Sequence, residues 1–164
     1  MPSSPAPPVG PPVSNDSRYL SAEEKAGLRT FAAALPGRLR AAAALERAEA
    51  AAVGTALGRL RTEHITWDGG AWPDGLQAER VAVRYAAHAM LFDDDTLFER
   101  KGLDWCRATR AAAGVPPEVA AAAVAALRDG FRQAMPAADY AEVEPYLTRA
   151  HADAATPVTA PTPA

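Results

Sequence analysis

The sequence predicts an all-α domain of about six helices, flanked by disordered Pro-rich tails. Three observations carry that expectation. Apolar residues make up 49% of the chain, and much of that share is alanine, the strongest helix former. Apolar positions recur three and four residues apart in several segments. No run of alternating β-branched and aromatic residues stands between turn residues, so strands are not expected. A length of 164 residues suits one domain with one core.

Residues 1–15 are rich in Pro and Ser and bury too little apolar surface to offset ordering entropy, so they read as a disordered tail. The folded domain is expected over 16–151, and 152–164 reads as a second tail, rich in Ala, Pro and Thr. Ser21 with Glu24 forms a capping-box pattern that opens the first helix. Leu28, Phe31 and Leu35 give it an apolar stripe, and Pro36-Gly37 is expected to end it. A second helix is expected over 38–61, where Leu45, Ala48, Ala52, Ala56 and Leu60 share a face. Gly54 and Gly58 on this helix suggest the close crossing of another helix.

The loop HITWDGGAWPDG, 64–75, holds two tryptophans, which either fold down as a lid on the core or meet a ligand. A helix over 76–92 follows, with His88 read as a core histidine. Asp93, Asp94 and Asp95 lack the spaced oxygen pattern of a calcium loop and suit a helix N-terminus instead. Thr96 with Glu99 reads as a second capping box, opening a helix over 97–113 that Gly114 stops. Pro116-Pro117 starts the next helix, in which Ala120, Val124, Leu127, Phe131 and Met135 recur. A last helix is expected from about residue 139, either kinked at Pro145 or beginning there.

A net charge of −3 leaves no basic surplus for nucleic acid. Arg38, Arg40, Arg47, Arg59 and Arg61 are interleaved with Glu46 and Glu49 and read as a solvated face. The single cysteine, Cys106, excludes an intrachain disulfide and reads as a buried, inert thiol. The start has no basic and apolar signal pattern, and no apolar run is long enough to span a bilayer. A cytoplasmic protein that avoids membranes and nucleic acid is expected. No Ser/His/Asp, Cys/His or zinc-ligand spacing stands out, so an enzyme is not expected.

The segment RYAAHAMLFDDDTLFERKGLDWCRATRAAAGVPPEVAAAAVAAL, 84–127, resembles the phycobiliproteins of the allophycocyanin type. Upstream, SRYLSAEEKAGLRTF and RLRAAAALERAEAAAV are similar to that family's early helices, and YAEVEPYLTRA to its C-terminal one. The resemblance implies a globin-like helical sandwich holding an open-chain tetrapyrrole, a bilin, between the long helix and the one after it. Light-harvesting members attach the bilin through a cysteine near the start of the long helix, followed by an arginine and an aspartate. Those places fall here on Gly75, Gln77 and Ala78. A thioether there is therefore excluded, and the acidic role passes to Asp74 or Glu79. The antenna subunits' N-terminal helix is replaced by PSSPAPPVGPP. Arg84 matches an arginine used across their subunit contact, with Asp16 as a candidate partner. These departures resemble the bilin-biosynthesis-associated globins, phycobiliprotein paralogs that bind bilins without a covalent link.

What the resemblance implies is a bilin (biliverdin or a reduced bilin) held non-covalently for carriage, storage or sensing, beside bilin-biosynthesis enzymes, in a chain with homodimer formation left open. The implied cofactor-binding set is Trp72, Asp74, Gln77, Ala78, Arg80, Arg84, Tyr85, Lys101 and Trp105. Asp74 is the acceptor for pyrrole N–H groups, Arg80, Arg84, Arg100 and Lys101 pair with propionates, and Trp72, Tyr85 and Trp105 are flat walls. Haem through His88 is the competing ligand, and a cofactor-free interaction module the competing function.

Overall fold

The computed structural model describes residues 19–63, 65 and 76–157, and these form five helical rods without strands. The first, α1, runs Ala22–Thr62 as a single helix of 41 residues. Ser21 and Glu24 do form the reciprocal capping box that opens it. Pro36 does not end it, contrary to the expected break, so two predicted helices are one. Proline removes the hydrogen bond to the carbonyl four residues back. Here that carbonyl belongs to Ala32, on an exposed stretch where water can take the donor's place. Pro145 is accommodated in the same way: the last helix runs straight through it, beginning at Ala137, because Ala141 too is exposed.

The second rod, α2, spans Gln77–Phe92. It is entered through Leu76, a left-handed residue (φ 66°) whose side chain is 1% exposed. Backbone strain at a bulky residue is tolerated there because the side chain is anchored in the core. The third rod, α3, covers 95–112 in three consecutive segments: Asp95–Leu97, a π-helical turn Phe98–Leu103, and Asp104–Ala112. Its N-cap is Asp94, whose Oδ1 accepts from the Thr96 and Leu97 amides at 3.0 and 3.3 Å. The expected Thr96–Glu99 box is displaced by this earlier cap, and Glu99 pairs with Arg149 instead. The rods α4, Pro117–Ala134, and α5, Ala137–Ala154, complete the fold. The last turn of α5 ends at Ala154.

Two apolar clusters form the core. One joins α1, α4 and α5 through Ala52, Ala56, Leu60, Leu127, Phe131 and Leu147. The other joins α2 and α3 to α4 and α5 through Ala82, Ala86, Phe98, Cys106, Val124 and Ala150. Tyr146 packs against both, and its ring meets Phe98 edge-on at 5.4 Å. The close helix crossing lies elsewhere than expected. Nothing stands within 4 Å of a Cβ added at Gly54 or Gly58, whereas one added at Gly130 would lie 2.6 Å from the Ala52 carbonyl oxygen. Small residues on α1 and α4 let the two backbones touch there.

The acidic run is divided among three structural tasks. Asp93 takes a left-handed conformation at the end of α2 and binds Arg38 at 2.7 Å. Asp94 caps α3, and Asp95 binds Arg149 of α5 at 2.9 Å. The α1 arginines likewise tie the fold together rather than forming only a solvated face. Arg40 holds the buried Asp139 at 2.8 Å, and Arg59 holds Asp129 at 2.6 Å.

Candidate functional site

The N-terminal turn of α2, the C-terminal half of α3 and the end of α5 meet at one place. Glu79, on the first turn of α2, is 6% exposed. Facing it is Arg110 of α3, 8% exposed, which donates from Nη2 to Asp153 Oδ2 of α5 at 2.9 Å. Arg107 donates to the other oxygen of Asp153 and, at 2.9 Å, to Asp104. This charged end closes a small cavity whose other walls are apolar: Ala82, Val83, Ala86, Phe98, Leu103, Val124 and Leu127. Its volume, about 20 Å³, is room for a single water.

Burial dominates the electrostatics. It pushes the Glu79 carboxyl above the ordinary range, an effect that a backbone hydrogen bond and the Arg110 charge offset only in part. Cys106, next to Glu79, is pushed up to about 12, first by burial and then by the Glu79 charge. Its Sγ donates to the Ala78 carbonyl at 2.8 Å. A thiol with that pKa is protonated at neutral pH and is not a nucleophile.

Folded Glu79 binds its proton more tightly than unfolded Glu79. Its contribution to stability is therefore fullest below the unfolded pKa and is lost as pH rises toward the higher folded value. Glu79→Gln is expected to remove this slope and to raise the melting temperature at neutral pH relative to the parent. Thermal melts of both proteins from acid to neutral pH check it; equal slopes would contradict it.

The implied binding residues separate into two groups. Tyr85 sits where α2 meets α3, its Cβ 3.3 Å from the place a Cβ on Gly102 would take. Ala78 is partly buried beneath Cys106, Gln77 is exposed on the first turn of α2, and Lys101 and Arg100 are exposed on α3. Trp105 is 43% exposed on the same rod. Arg80 and Arg84 point the other way, toward α1, where both bind Glu49, at 2.7 and 2.9 Å. Burial pushes the Glu49 carboxyl up, but the hydrogen bonds and charges of Arg84 and Arg80 outweigh it and hold the pKa below the ordinary value. Trp72, Asp74, Gly75 and Asp16 lie outside the described residues. His88 is not a core histidine: it is exposed, and it meets the Tyr85 ring edge-on at 6.0 Å.

Arg110, Arg107 and Asp153 lie outside the implied binding set. The signal for Arg110 is present, because it continues the stripe of Leu103 and Cys106 at helical spacing. An arginine on a buried stripe marks a buried ion pair.

The family model described as phycobilisome protein matches residues 13–153. No curated protein matches the chain.

Proposed function

The chain belongs to the phycobilisome protein family, and from that premise we propose that it binds a linear tetrapyrrole without a covalent link. The observation that carries the non-covalent reading is the state of the only thiol: Cys106 is 3% exposed, hydrogen-bonded to Ala78 and protonated. The chemistry of the cavity suits a bilin. Glu79 is a buried carboxylate poised to accept from pyrrole N–H groups, and the walls beyond it are apolar. A bilin bound there supplies N–H donors to Glu79, whose burial the Arg110 charge offsets only in part. The volume does not suit it in this conformation, since a ligand of that size needs several hundred Å³, roughly. Entry requires α3 to move outward from α2, and the contact to be released is the Phe98–Gly102–Tyr85 layer. Tyr85 and Trp105 are proposed as walls, and Lys101 and Arg100 as propionate partners at the rim. Trp72 and Asp74 complete the proposed set from the preceding loop. Arg80 and Arg84 fit the role less well, being held by Glu49. The proposed role is carriage, storage or sensing in the cytoplasm, by a binding protein and not an enzyme.

The test is an absorption titration of the purified chain with biliverdin. A sharpened, red-shifted band that denaturant abolishes, with no zinc-fluorescent adduct on the denatured chain, is expected. Cys106→Ala is expected to leave the band unchanged. A band that survives denaturation in the parent and vanishes in Cys106→Ala would show a thioether and overturn the non-covalent reading.

A further inference from the structure

We propose that Arg107 and Arg110 of α3 form a seat for a carboxylate of the ligand, and that Asp153 of α5 competes for that seat from within the chain. This control of access rests on the bilin-binding reading of the same cavity. Asp153 is gripped on both oxygens: Arg107 donates from Nη2 to Oδ1, and Arg110 donates from Nη2 to Oδ2 at 2.9 Å. One guanidinium on each oxygen is an arrangement that recognises a carboxylate, and arginine's planar fork is pre-organised for it. The seat is built into the fold, since the side chains of Arg110 and Asp153 are 9% and 8% exposed. Arg110 also lines the cavity, at the end where Glu79 stands. Arg107 holds Asp104 as well, at 2.9 Å, which keeps it oriented when Asp153 leaves.

Asp153 is placed to be displaced. It lies in the last turn of α5, where the helix dipole disfavours negative charge. Among the described residues its carboxylate accepts hydrogen bonds from the two arginines alone. Ala150 and Ala154, on either side of it, are anchored in the apolar cluster. The Asp153 side chain therefore leaves by rotation about its own bonds while the helix stays in place. Exchanging one carboxylate for another keeps the buried arginine paired throughout, so the large cost of an isolated buried charge never arises. The freed Asp153 recovers its hydration. A linear tetrapyrrole carries such carboxylates on its two propionate side chains. Lys101 and Arg100 are exposed on the same rod, so the buried pair is the stronger seat.

The first arm of the test uses no pigment. Asp153→Ala removes the internal carboxylate and is expected to lower the melting temperature of the full chain by roughly 5–10 °C. Sodium propionate at about 100 mM is expected to restore at least half of that loss by filling the seat. Sodium chloride at the same concentration is expected not to, and the parent to melt alike in both salts. If Asp153→Ala is unfolded in chloride, propionate is expected to restore its helicity by circular dichroism. Equal behaviour of Asp153→Ala in the two salts would overturn the seat. The second arm uses Asp153→Asn, which keeps the shape and removes the charge. Biliverdin is expected to bind it about tenfold more tightly than the parent, and biliverdin dimethyl ester, which has no carboxylate, equally to both. Glu118→Gln, which removes an exposed charge outside the seat, is expected to bind biliverdin as the parent does. Equal biliverdin affinity in parent and Asp153→Asn, or the same gain with the ester, would overturn the competition. Propionate rescue with no biliverdin binding by any of these proteins would overturn the bilin reading and support the seat for another carboxylic acid.

Discussion

Gly130→Ala is expected to destabilise the fold by about 2–4 kcal/mol, a loss of roughly 5–15 °C in melting temperature for a domain of this size. The added Cβ would lie 2.6 Å from the Ala52 carbonyl oxygen and 2.9 Å from its Cα. Both are backbone atoms, so no rotamer change relieves the overlap and α1 and α4 must separate. That contact lies within the cluster that also buries Leu60, Leu127 and Phe131, so the separation loosens several neighbours at once. Gly58→Ala is the matched control. Nothing stands near its Cβ, and the substitution is expected to stabilise α1 by up to about 1 kcal/mol. Urea denaturation of the three proteins decides it. A neutral Gly130→Ala would mean that the two helices do not touch as described.

Arg110→Ala is expected to cost about 3–5 kcal/mol at neutral pH, because it removes the charge facing the buried Glu79 and leaves Asp153 to Arg107. Asp153 loses its 2.9 Å partner, and Glu79 loses the charge that draws its pKa down. The sign with pH follows from Glu79. With Arg110 gone its carboxyl holds a proton still more tightly, so acid relieves part of the loss and the deficit is smaller below neutrality. Denaturant titrations at neutral and mildly acidic pH measure this. A deficit independent of pH would place the cost in lost packing of the arginine stem rather than in unpaired charge.

Much of the fold was legible because periodicity and local signals point the same way. Ser21 with Glu24, Gly114 after α3, and Pro117 at the start of α4 all act as their residue types suggest. The errors have a common physical origin. Pro36 suggests a helix end and Pro145 a kink or a helix start, yet a proline on an exposed face loses only one hydrogen bond, which water can replace. Thr96 has the residue type of a cap, but Asp94 stands two residues earlier with a stronger acceptor. Gly54 and Gly58 look like a packing surface, while the contact is made by Gly130, and only the third dimension distinguishes them.

The candidate site was legible in part. Glu79 was recognised as an acid near the start of α2, but its partner Arg110 lies 31 positions away and Asp153 beyond the expected domain end. Such pairings depend on how α2, α3 and α5 cross, which no local pattern encodes. The two arginines nearest Glu79 in sequence, Arg80 and Arg84, turn to the opposite side of α2. A helix rotates by about 100° per residue, so neighbours in sequence serve different surfaces.

The central claim is that Glu79 is the carboxylate that receives a bilin. The most direct measurement is a biliverdin titration of the parent and of Glu79→Gln, followed by absorption, with the melting temperature of each pigment-free protein recorded alongside. The account predicts that Glu79→Gln is more thermostable without pigment and yet binds biliverdin at least about tenfold more weakly, with a smaller red shift. Equal affinity and an identical spectrum in a folded Glu79→Gln would contradict it.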